Sequence, residues 1–226
     1  MKIIGNGLLA NAFKFSKFSF NENIIVFASG VSNSQNSDNT GYAREYDLLR
    51  TIDSGKKLIY FSTCSIYDKL NYDSSYVQHK LLMENYIKEE FRFYNILRLP
   101  QVVGRGGNPN NLLNYLYRSI RDNNIITVQK NAVRNIVDVE DIVRFSSICN
   151  KIDQGLINIA APNSTGILSI INCFESIFDR IARVDLVDGG YGYSIDIADI
   201  RRIIVNFDSY FHGEYLRNVI EKYYAN

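Results

Sequence analysis

The stretch IIGNGLLANAF, residues 3–13, decides the expected fold. Two isoleucines of a strand-like run lead into Gly5 and Gly7, and a helical pattern follows over Leu8–Phe15. Gly5, Gly7 and Ala10 form the spacing G-x-G-x-x-A, in which the glycines permit a tight turn and the small third residue lets helix and strand pack closely. The amides that open such a helix can bind a phosphate. An ordinary glycine-rich strand-helix turn has the same appearance, so this match leaves both interpretations open.

Strand-like and helix-like segments alternate from this stretch to Pro100. The expected strands are 2–5, 23–29, 56–63 and 94–100, and the expected helices are Leu8–Phe15, Tyr42–Ile52 and Tyr76–Phe91. This rhythm predicts an α/β fold with a parallel sheet covered by helices. After a loop at 104–111 the chain offers further helices and one more strand, LINIAA at 156–161. We therefore expect a single domain, 1–226, whose part from about 155 to 226 forms a small lobe.

Composition excludes several classes of function. The formal net charge of +1 gives no broad basic field, so a nucleic-acid partner is not expected. No apolar run approaches the length of a membrane span, and the N-terminus lacks a secretory signal pattern, so neither membrane insertion nor secretion is expected. The three cysteines, Cys64, Cys149 and Cys173, lack metal-ligand spacing, and His212 has no ligand partner nearby, so no metal site is expected. Reduced thiols favour a cytoplasmic location.

Two segments in the middle of the chain suggest chemistry. In YFSTCSIYD, 60–68, hydroxyl side chains stand where a strand ends, which is where open α/β sheets bind ligands, although hydroxyls are common at strand ends. In SSYVQHK, 74–80, Tyr76 and Lys80 are four residues apart and share a helix face. A lysine ammonium near a phenol lowers the pKa of the tyrosine and makes it a usable acid or base. A surface helix that begins at a serine cap would give the same spacing.

Together these segments resemble the short-chain dehydrogenase/reductase superfamily, in its extended branch of NAD-dependent epimerases and dehydratases. The resemblance covers nearly the whole chain and rests on the order of IIGNGLLA (3–10), NIIVFASGVSNS (23–34), FSTCSIYD (61–68), Tyr76-x-x-x-Lys80, LRLPQVVG (97–104) and RNIVDVEDI (134–142). It implies a Rossmann-like parallel sheet flanked by helices, with a small C-terminal substrate-binding lobe.

The resemblance also implies roles for single residues. The catalytic group would be Thr63, Tyr76 and Lys80, with Tyr76 as proton donor or acceptor at a sugar oxygen and Thr63 hydrogen-bonded to that oxygen. Lys80 would hold the nicotinamide ribose. NAD or NADP would be bound by Gly5, Gly7, Leu8, Ala10, Ala28, Ser29, Lys80, Pro100 and Val102. Ser65 and Arg134 would bind the substrate, Arg134 at its diphosphate.

The sequence departs from the family in three ways. One strand-helix-strand unit, which normally binds the adenosine half of the cofactor and selects NAD or NADP, is missing after the first helix. Ala43 stands where the family often has a catalytic asparagine. Cys64 and Ser65 replace the Asp-Glu pair of sugar dehydratases, so 4,6-dehydration is disfavoured.

Several other residues are assigned structural roles. We expect His79 to face solvent, Arg98 to form an internal ion pair and Asp141 to cap a helix or make a packing contact. The segment DGGYGYS, 188–194, is interpreted either as a flexible turn or as a lip that contacts the sugar.

The resulting hypothesis is a nicotinamide-dependent oxidoreductase or epimerase acting on a nucleotide-linked sugar. The resemblance implies surface-polysaccharide synthesis and allows a homodimer. The alternative is a member of the family that binds a nucleotide sugar or a partner without turnover, having lost cofactor affinity. The missing adenosine unit favours this alternative, whereas the retained Thr63, Tyr76 and Lys80 favour the enzyme.

Overall fold

The computed structural model describes residues 1–17, 20, 22–31 and 39–225 of the chain. Part of the segment quoted for the family resemblance, residues 32–34, therefore lies outside the described residues. The helices are α1 Leu8–Lys14, α2 Asn39–Arg50, α3 Ser75–Glu90, α4 Leu112–Arg121, α5 Val139–Cys149, α6 Ile167–Phe178, α7 Ala198–Ile203 and α8 Tyr215–Tyr224. Short 3-10 turns occupy Cys64–Tyr67 and Phe207–Tyr210.

The central sheet has five parallel strands in the order β1-β2-β3-β4-β9. These strands are β1 Lys2–Ile4, β2 Ile24–Phe27, β3 Lys57–Thr63, β4 Tyr94–Leu99 and β9 Gln154–Asn158. β2 and nearly all of β3 are buried, as is expected of a parallel sheet covered on both faces. The α/β sheet predicted from the alternation of segments is confirmed.

Strand β1 lies at one edge of this sheet, with β2 as its partner among the described strands. Residues 15–23 alone connect α1 to β2, which is too short for a strand-helix-strand unit. The parallel register pairs Ile3 with Val26 and so brings the carboxyl ends of β1 and β2 together. The missing unit inferred from the sequence therefore leaves β1 as an edge strand.

Two buried clusters cover the two faces of the sheet. One contains Phe13 of α1 with Phe61 of β3, whose rings lie 5.6 Å apart, together with the buried side of α5. The other packs Met83 and Ile87 of α3 against Tyr60 of β3. Helix α3, which carries the Tyr76 and Lys80 positions, is thus anchored directly on the central strand.

A third cluster, centred on α4, α6 and α8, lies beside the sheet. Three small sheets belong to this region: β6 Ile125–Gln129 with β11 Arg183–Val187, β7 Val133–Arg134 with β10 Thr165–Gly166, and β5 Gln101–Val103 with β8 Ile136–Asp138. The cluster draws on residues both before and after 155, from Val103 to Ile220. A substrate-binding role for this lobe stays a prediction. Within the described part of the chain, no helix has the length and apolar run needed to cross a bilayer.

Candidate active site

Thr63 and Tyr76 meet at the carboxyl end of β3. Thr63 is the last residue of the strand and is 5% exposed. Its Oγ1 accepts a hydrogen bond from the Ser65 amide at 3.0 Å, which caps the following 3-10 turn. Tyr76 stands in the first turn of α3, which Ser74 caps by accepting a hydrogen bond from the Val77 amide. The Thr63 side chain lies close enough to the Tyr76 hydroxyl to lower its pKa, so the structure brings the sequence-predicted pair together.

The electrostatic setting of Tyr76 differs from the expectation. Burial raises the pKa of Tyr76 to about 12, the nearby polar side chain of Thr63 opposes this, and the negative charge of Glu45 adds to it. Lys80 was expected to lower this pKa, and that expectation is wrong for this structure. The expectation fails because of the groups that the Lys80 ammonium contacts.

Lys80 is buried and its ammonium group is occupied by protein acceptors. Nζ lies 2.8 Å from Glu45 Oε1, 3.1 Å from the Tyr60 hydroxyl and 3.5 Å from the Phe61 carbonyl. Its side chain is 3% exposed. The nearest opposite charge is therefore a carboxylate of α2, and the tyrosine does not receive the field of an unpaired lysine.

Glu45 also contacts the backbone after β2 and a side chain of α3. The backbone amide of Val31 donates to Oε2 at 2.6 Å, and His79 Nε2 lies 3.1 Å from the same oxygen. The His79 ring stacks on Tyr42 at 4.6 Å and its side chain is 8% exposed, so the expectation that His79 faces solvent is wrong. Gly30 covers the cluster, since a Cβ there would stand 2.7 Å from Lys80 Nζ.

The glycine turn brings the ends of β1 and β2 into close contact. Gly5 has φ +125°, and a Cβ at this position would lie 2.3 Å from the Ala28 carbonyl oxygen. Neither the backbone angle nor the spacing would accept another residue. At Gly7, by contrast, an added Cβ would meet no described atom within 4 Å. Ala10 is fully buried under the sheet, as the pattern requires.

Leu8, Ala28 and Ser29 complete this edge. Leu8 contacts the loop after β5, because a Cβ at Gly104 would lie 2.7 Å from its Cδ1. The Ala28 amide donates to the Ile4 carbonyl at 2.7 Å. The carbonyl oxygen and hydroxyl of Ser29 accept hydrogen bonds from Arg44 at 3.0 and 3.3 Å. Arg44 is a cation at this edge that the sequence patterns did not reveal.

Pro100 and Val102 follow β4 on the far side of the catalytic strand. Both are partly exposed, and Val102 lies in β5 next to β8. The carbonyl of Val102 accepts a hydrogen bond from Asn111 at 3.0 Å. This contact fixes the backbone where the resemblance expects the nicotinamide.

The candidate substrate side is formed by Ser65, Arg134 and the segment 188–194. Ser65 and Arg134 both lie close enough to Tyr193 to lower its pKa, against the larger effect of burial, which raises it. Tyr191 donates a hydrogen bond to Asp68 in the loop after the 3-10 turn. A Cβ at Gly192 would stand 2.1 Å from Val133 Cγ2, so the segment lies directly against β7. The segment therefore lies between the 3-10 turn after β3 and Arg134 of β7.

Two other predicted residues have structural roles. Arg98 binds Glu84 through Nε and Nη2 at 2.8 and 2.5 Å, which confirms the internal ion pair. Asp141 is buried and accepts a hydrogen bond from the Tyr215 hydroxyl at 2.9 Å, so it makes a packing contact, while Asp138 caps α5.

These residues fit the nicotinamide half of a dinucleotide better than its adenosine half. On one side, Thr63 and Tyr76 lie together at the same sheet edge as the glycine turn, and Gly7 leaves space beside it. On the other side, β1 is the edge strand among the described strands, and the nine residues 15–23 between α1 and β2 are too few for the strand-helix-strand unit that normally carries the adenosine contacts.

A family model described as the NAD dependent epimerase/dehydratase family matches residues 22–160, more than half of the chain. The chain belongs to this family. The match includes Thr63, Tyr76, Lys80 and Arg134 and begins after the glycine turn. A comparison with curated protein sequences found no match.

Solved structures of this epimerase/dehydratase fold resemble the chain over most of its length. The UDP-glucuronic acid 4-epimerase from Bacillus cereus in complex with NAD has a TM-score of 0.72 at 19% identity, with 97% of this chain and 77% of that chain covered. The UDP-N-acetylglucosamine 4-epimerase from Methanobrevibacter ruminantium M1, in complex with UDP-N-acetylmuramic acid, gives 0.71 at 16%, covering 88% and 76%. RMD from Pseudomonas aeruginosa complexed with NADPH gives 0.66 at 13%, covering 90% and 82%. These likenesses show the fold.

Glu45 is a residue of the site that was not expected from the sequence. Ala43, at the position where the family often has an asparagine, is exposed, whereas Glu45 is fully buried. A signal was present, because Glu45 lies between Tyr42 and Leu49 at helical spacing on the apolar face of α2. A carboxylate on such a face requires a buried partner.

Proposed function

We propose that the protein is a nicotinamide-dependent oxidoreductase or epimerase, of ketoreductase type, that acts on a nucleotide-linked sugar. The observation that carries the proposal is the juxtaposition of Thr63 and Tyr76 at the carboxyl end of β3, within the segment that matches the epimerase/dehydratase family. Two of the structural relatives described above are epimerases of UDP-linked sugars, which supports this class of substrate.

The chain would supply binding, orientation and proton transfer. A bound NAD or NADP supplies hydride chemistry at the sugar carbon. Tyr76 would give a proton to, or take one from, the oxygen on that carbon, and Thr63 would hydrogen-bond the same oxygen. Lys80 would bind the nicotinamide ribose with its third donor, because the 3.5 Å contact with the Phe61 carbonyl is the weakest of its three and the easiest to exchange.

Dehydration of the sugar is not part of the proposal. Elimination of water requires a group that removes a proton next to the carbonyl. Cys64, at one of the two positions involved, is fully buried and burial raises the pKa of its thiol, so it remains protonated. Its Sγ donates to the Arg98 carbonyl at 3.3 Å, which is a structural contact.

On the substrate side, Arg134 would bind the diphosphate and Ser65 the sugar. We extend the proposal to a cytoplasmic enzyme of surface-polysaccharide synthesis that pairs through α2 and α3, all three points resting on the family resemblance. The outer face of α3 supports such a pairing, since Leu82 is 53% exposed there. Light scattering of the purified protein would test it.

The alternative is a member that binds a nucleotide sugar or a partner without turnover. The missing strand-helix-strand unit favours it, because that unit normally holds half of the cofactor. Titration with NADH and with NADPH, followed through the fluorescence of the reduced nicotinamide, separates the two. The chain contains no tryptophan that would interfere.

Saturable binding, followed by oxidation of the cofactor with a nucleotide-linked ketosugar, is the result expected of the enzyme. If a folded sample binds neither cofactor, the enzyme proposal fails and the non-catalytic alternative takes its place.

A further inference from the structure

The Arg44 side chain reaches from α2 to the residue that follows β2 by two positions. Its Nη2 donates a hydrogen bond to the Ser29 carbonyl at 3.0 Å, and its Nη1 donates to the Ser29 hydroxyl at 3.3 Å. Arg44 is exposed, whereas Ser29 is half-buried. A guanidinium group has five N–H donors, and Ser29 occupies two of them. The two hydrogen bonds therefore orient the group while it stays accessible to a ligand.

Ser29 also lies against the glycine turn. A Cβ at Gly5 would stand 3.0 Å from the Ser29 amide nitrogen and 2.3 Å from the Ala28 carbonyl oxygen, so the two backbones are in contact. The Arg44 guanidinium group is hydrogen-bonded to one of these contacting residues. At Gly7, an added Cβ would meet no described atom within 4 Å, which leaves room for a ligand in the same turn.

The segments around this turn carry positive charge without carboxylates. Asp and Glu are absent from the residues before and in α1 up to 13, from the end of β2, and from the loop region that packs on Leu8: residues 1–13, 28–31 and 100–111. Arg105 belongs to that loop region. Glu45, next to Arg44 in α2, is paired with Lys80 at 2.8 Å. The local charge therefore favours an anion.

We propose that Arg44 binds the phosphate attached to the nicotinamide ribose of the cofactor, and so supplies affinity in a fold that lacks the unit for the adenosine half. The cofactor as the source of this phosphate rests on the proposed function. Arginine suits the role because its planar group can bind two phosphate oxygens at once. The diphosphate of a nucleotide-linked sugar has the same chemistry and is expected at Arg134, so the test must distinguish the two sources.

The test compares reduced nicotinamide mononucleotide, which carries this phosphate, with reduced nicotinamide riboside, which lacks it. Nicotinamide fluorescence gives both dissociation constants for the native protein and for Arg44→Met. We expect the variant to bind the mononucleotide about 10- to 100-fold more weakly, because a hydrogen-bonded charge is lost. Its affinity for the riboside should change by less than about twofold.

Two further variants on α2 serve as controls. Arg44→Lys keeps the charge but cannot form the planar two-point contact, so its affinity for the mononucleotide should fall between those of the native protein and Arg44→Met. Arg50→Met removes the same charge from the exposed C-terminal end of α2 and should bind the mononucleotide like the native protein.

A comparison with UDP identifies the source of the phosphate. Arg44→Met should leave the affinity for UDP unchanged, and Arg134→Ala should leave the affinity for the mononucleotide unchanged. Inorganic pyrophosphate provides a probe without nicotinamide. Its binding is measured by calorimetry in an Arg134→Ala background, and adding Arg44→Met to that background should weaken it.

Equal affinity of the native protein and Arg44→Met for the mononucleotide would overturn the proposal. An equal loss of affinity for the riboside would also overturn it, since the effect of Arg44 would then be structural. A loss of UDP affinity alone would assign Arg44 to the substrate and exclude the cofactor role. If the native protein binds neither nicotinamide ligand, the proposed function fails; pyrophosphate affinity that depends on Arg44 would then support the phosphate site without the cofactor, and its absence would overturn the site as well.

Discussion

Arg98 on β4 and Glu84 on α3 are joined by two hydrogen bonds in a fork, with Glu84 1% and Arg98 12% exposed at the side chain. The Ser62 hydroxyl donates to the same carboxylate at 2.5 Å. This ion pair connects α3, the helix that carries Tyr76, to β4, the strand next to β3. A loss of Arg98 would leave the Glu84 charge buried without a partner.

We therefore expect Arg98→Met to lower the free energy of unfolding by about 3–5 kcal/mol. Arg98→Met combined with Glu84→Gln should lose clearly less, because no unpaired charge remains. Urea unfolding of the three proteins measures both effects. The exposed pair Arg217 and Glu221 is the control, and its removal should cost less than about 1 kcal/mol. Equal losses in the single and double variants would show that pairing is not what holds the helix.

Tyr76→Phe should reduce turnover by about 10²- to 10⁴-fold, the usual contribution of a general acid, and should leave nicotinamide binding within the error of the titration. Thr63→Ser should keep most of the activity because it keeps the hydroxyl, whereas Thr63→Val should not. Tyr86→Phe, on the same helix but outside the pair, is the control. Full activity of Tyr76→Phe would remove Tyr76 from the mechanism.

The central sheet was predictable because each of its strands can be recognised from its local sequence. The runs at 23–29, 56–63 and 94–100 are apolar and are bounded by turn residues, and the structure places β2, β3 and β4 there. The pair β6 and β11 was not predicted. Ile125–Gln129 and Arg183–Val187 are each only half buried, and their pairing joins segments far apart in the chain. A single segment does not carry that information.

The candidate site could likewise be predicted from the sequence only in part. The spacing of Tyr76 and Lys80 could be identified from the sequence, because four residues is one helical turn. The partner of Lys80 could not be identified from the sequence. Glu45 is distant from Lys80 along the chain, and the two residues meet because α2 packs on β3. The pKa of Tyr76 is raised chiefly by burial, with a smaller effect of Glu45, and neither can be read from the spacing. Local pattern therefore identified the groups, and tertiary packing determined their charge state.

Arg134→Ala should weaken the binding of UDP by about 10- to 100-fold, because a charged hydrogen bond contributes about 1.5–3 kcal/mol. Arg134 lies in β7 beside Tyr193, at the carboxyl edge of the sheet. Calorimetric titration with UDP measures the loss. Arg92→Ala removes the same charge at the opposite, amino end of β4 and should leave UDP affinity unchanged. An equal effect of both variants would indicate general electrostatic attraction instead of a diphosphate site.

The pKa of Glu45 predicts how stability responds to acid. Its folded-state pKa of about 2 lies below the ordinary value of 4.5, so the ionised form stabilises the folded protein. This contribution, about 3 kcal/mol at 1.36 kcal/mol per pKa unit, is complete above pH 4.5 and is lost as the pH falls towards 2. Unfolding by urea at several pH values should show it. Glu45→Gln should be less stable at pH 7 and should have a shallower dependence below pH 4.5; an unchanged slope would contradict the assignment.

The edge position of β1 predicts how much the adenosine half of NADH or NADPH contributes to binding affinity. In a complete fold of this kind, the strand next to β1 carries an acid for the NAD ribose or an arginine nearby for the NADP phosphate. Residues 15–23 are too few for that strand and the helix that would lead back to the sheet, and β1 has no partner on its outer side among the described residues. NADH and NADPH should therefore bind with similar affinity.

The sharper comparison uses reduced nicotinamide mononucleotide, which lacks the adenosine half. Its dissociation constant should lie within about tenfold of that of NADH, a difference of less than about 1.4 kcal/mol. Nicotinamide fluorescence measures all three ligands in the same way. If NADH bound a hundredfold more tightly than the mononucleotide, another segment would have to supply the adenosine contact. If the three affinities agree, the part of the site that binds the nicotinamide half is sufficient for binding. Any selection among ligands must then come from contacts with the nicotinamide half.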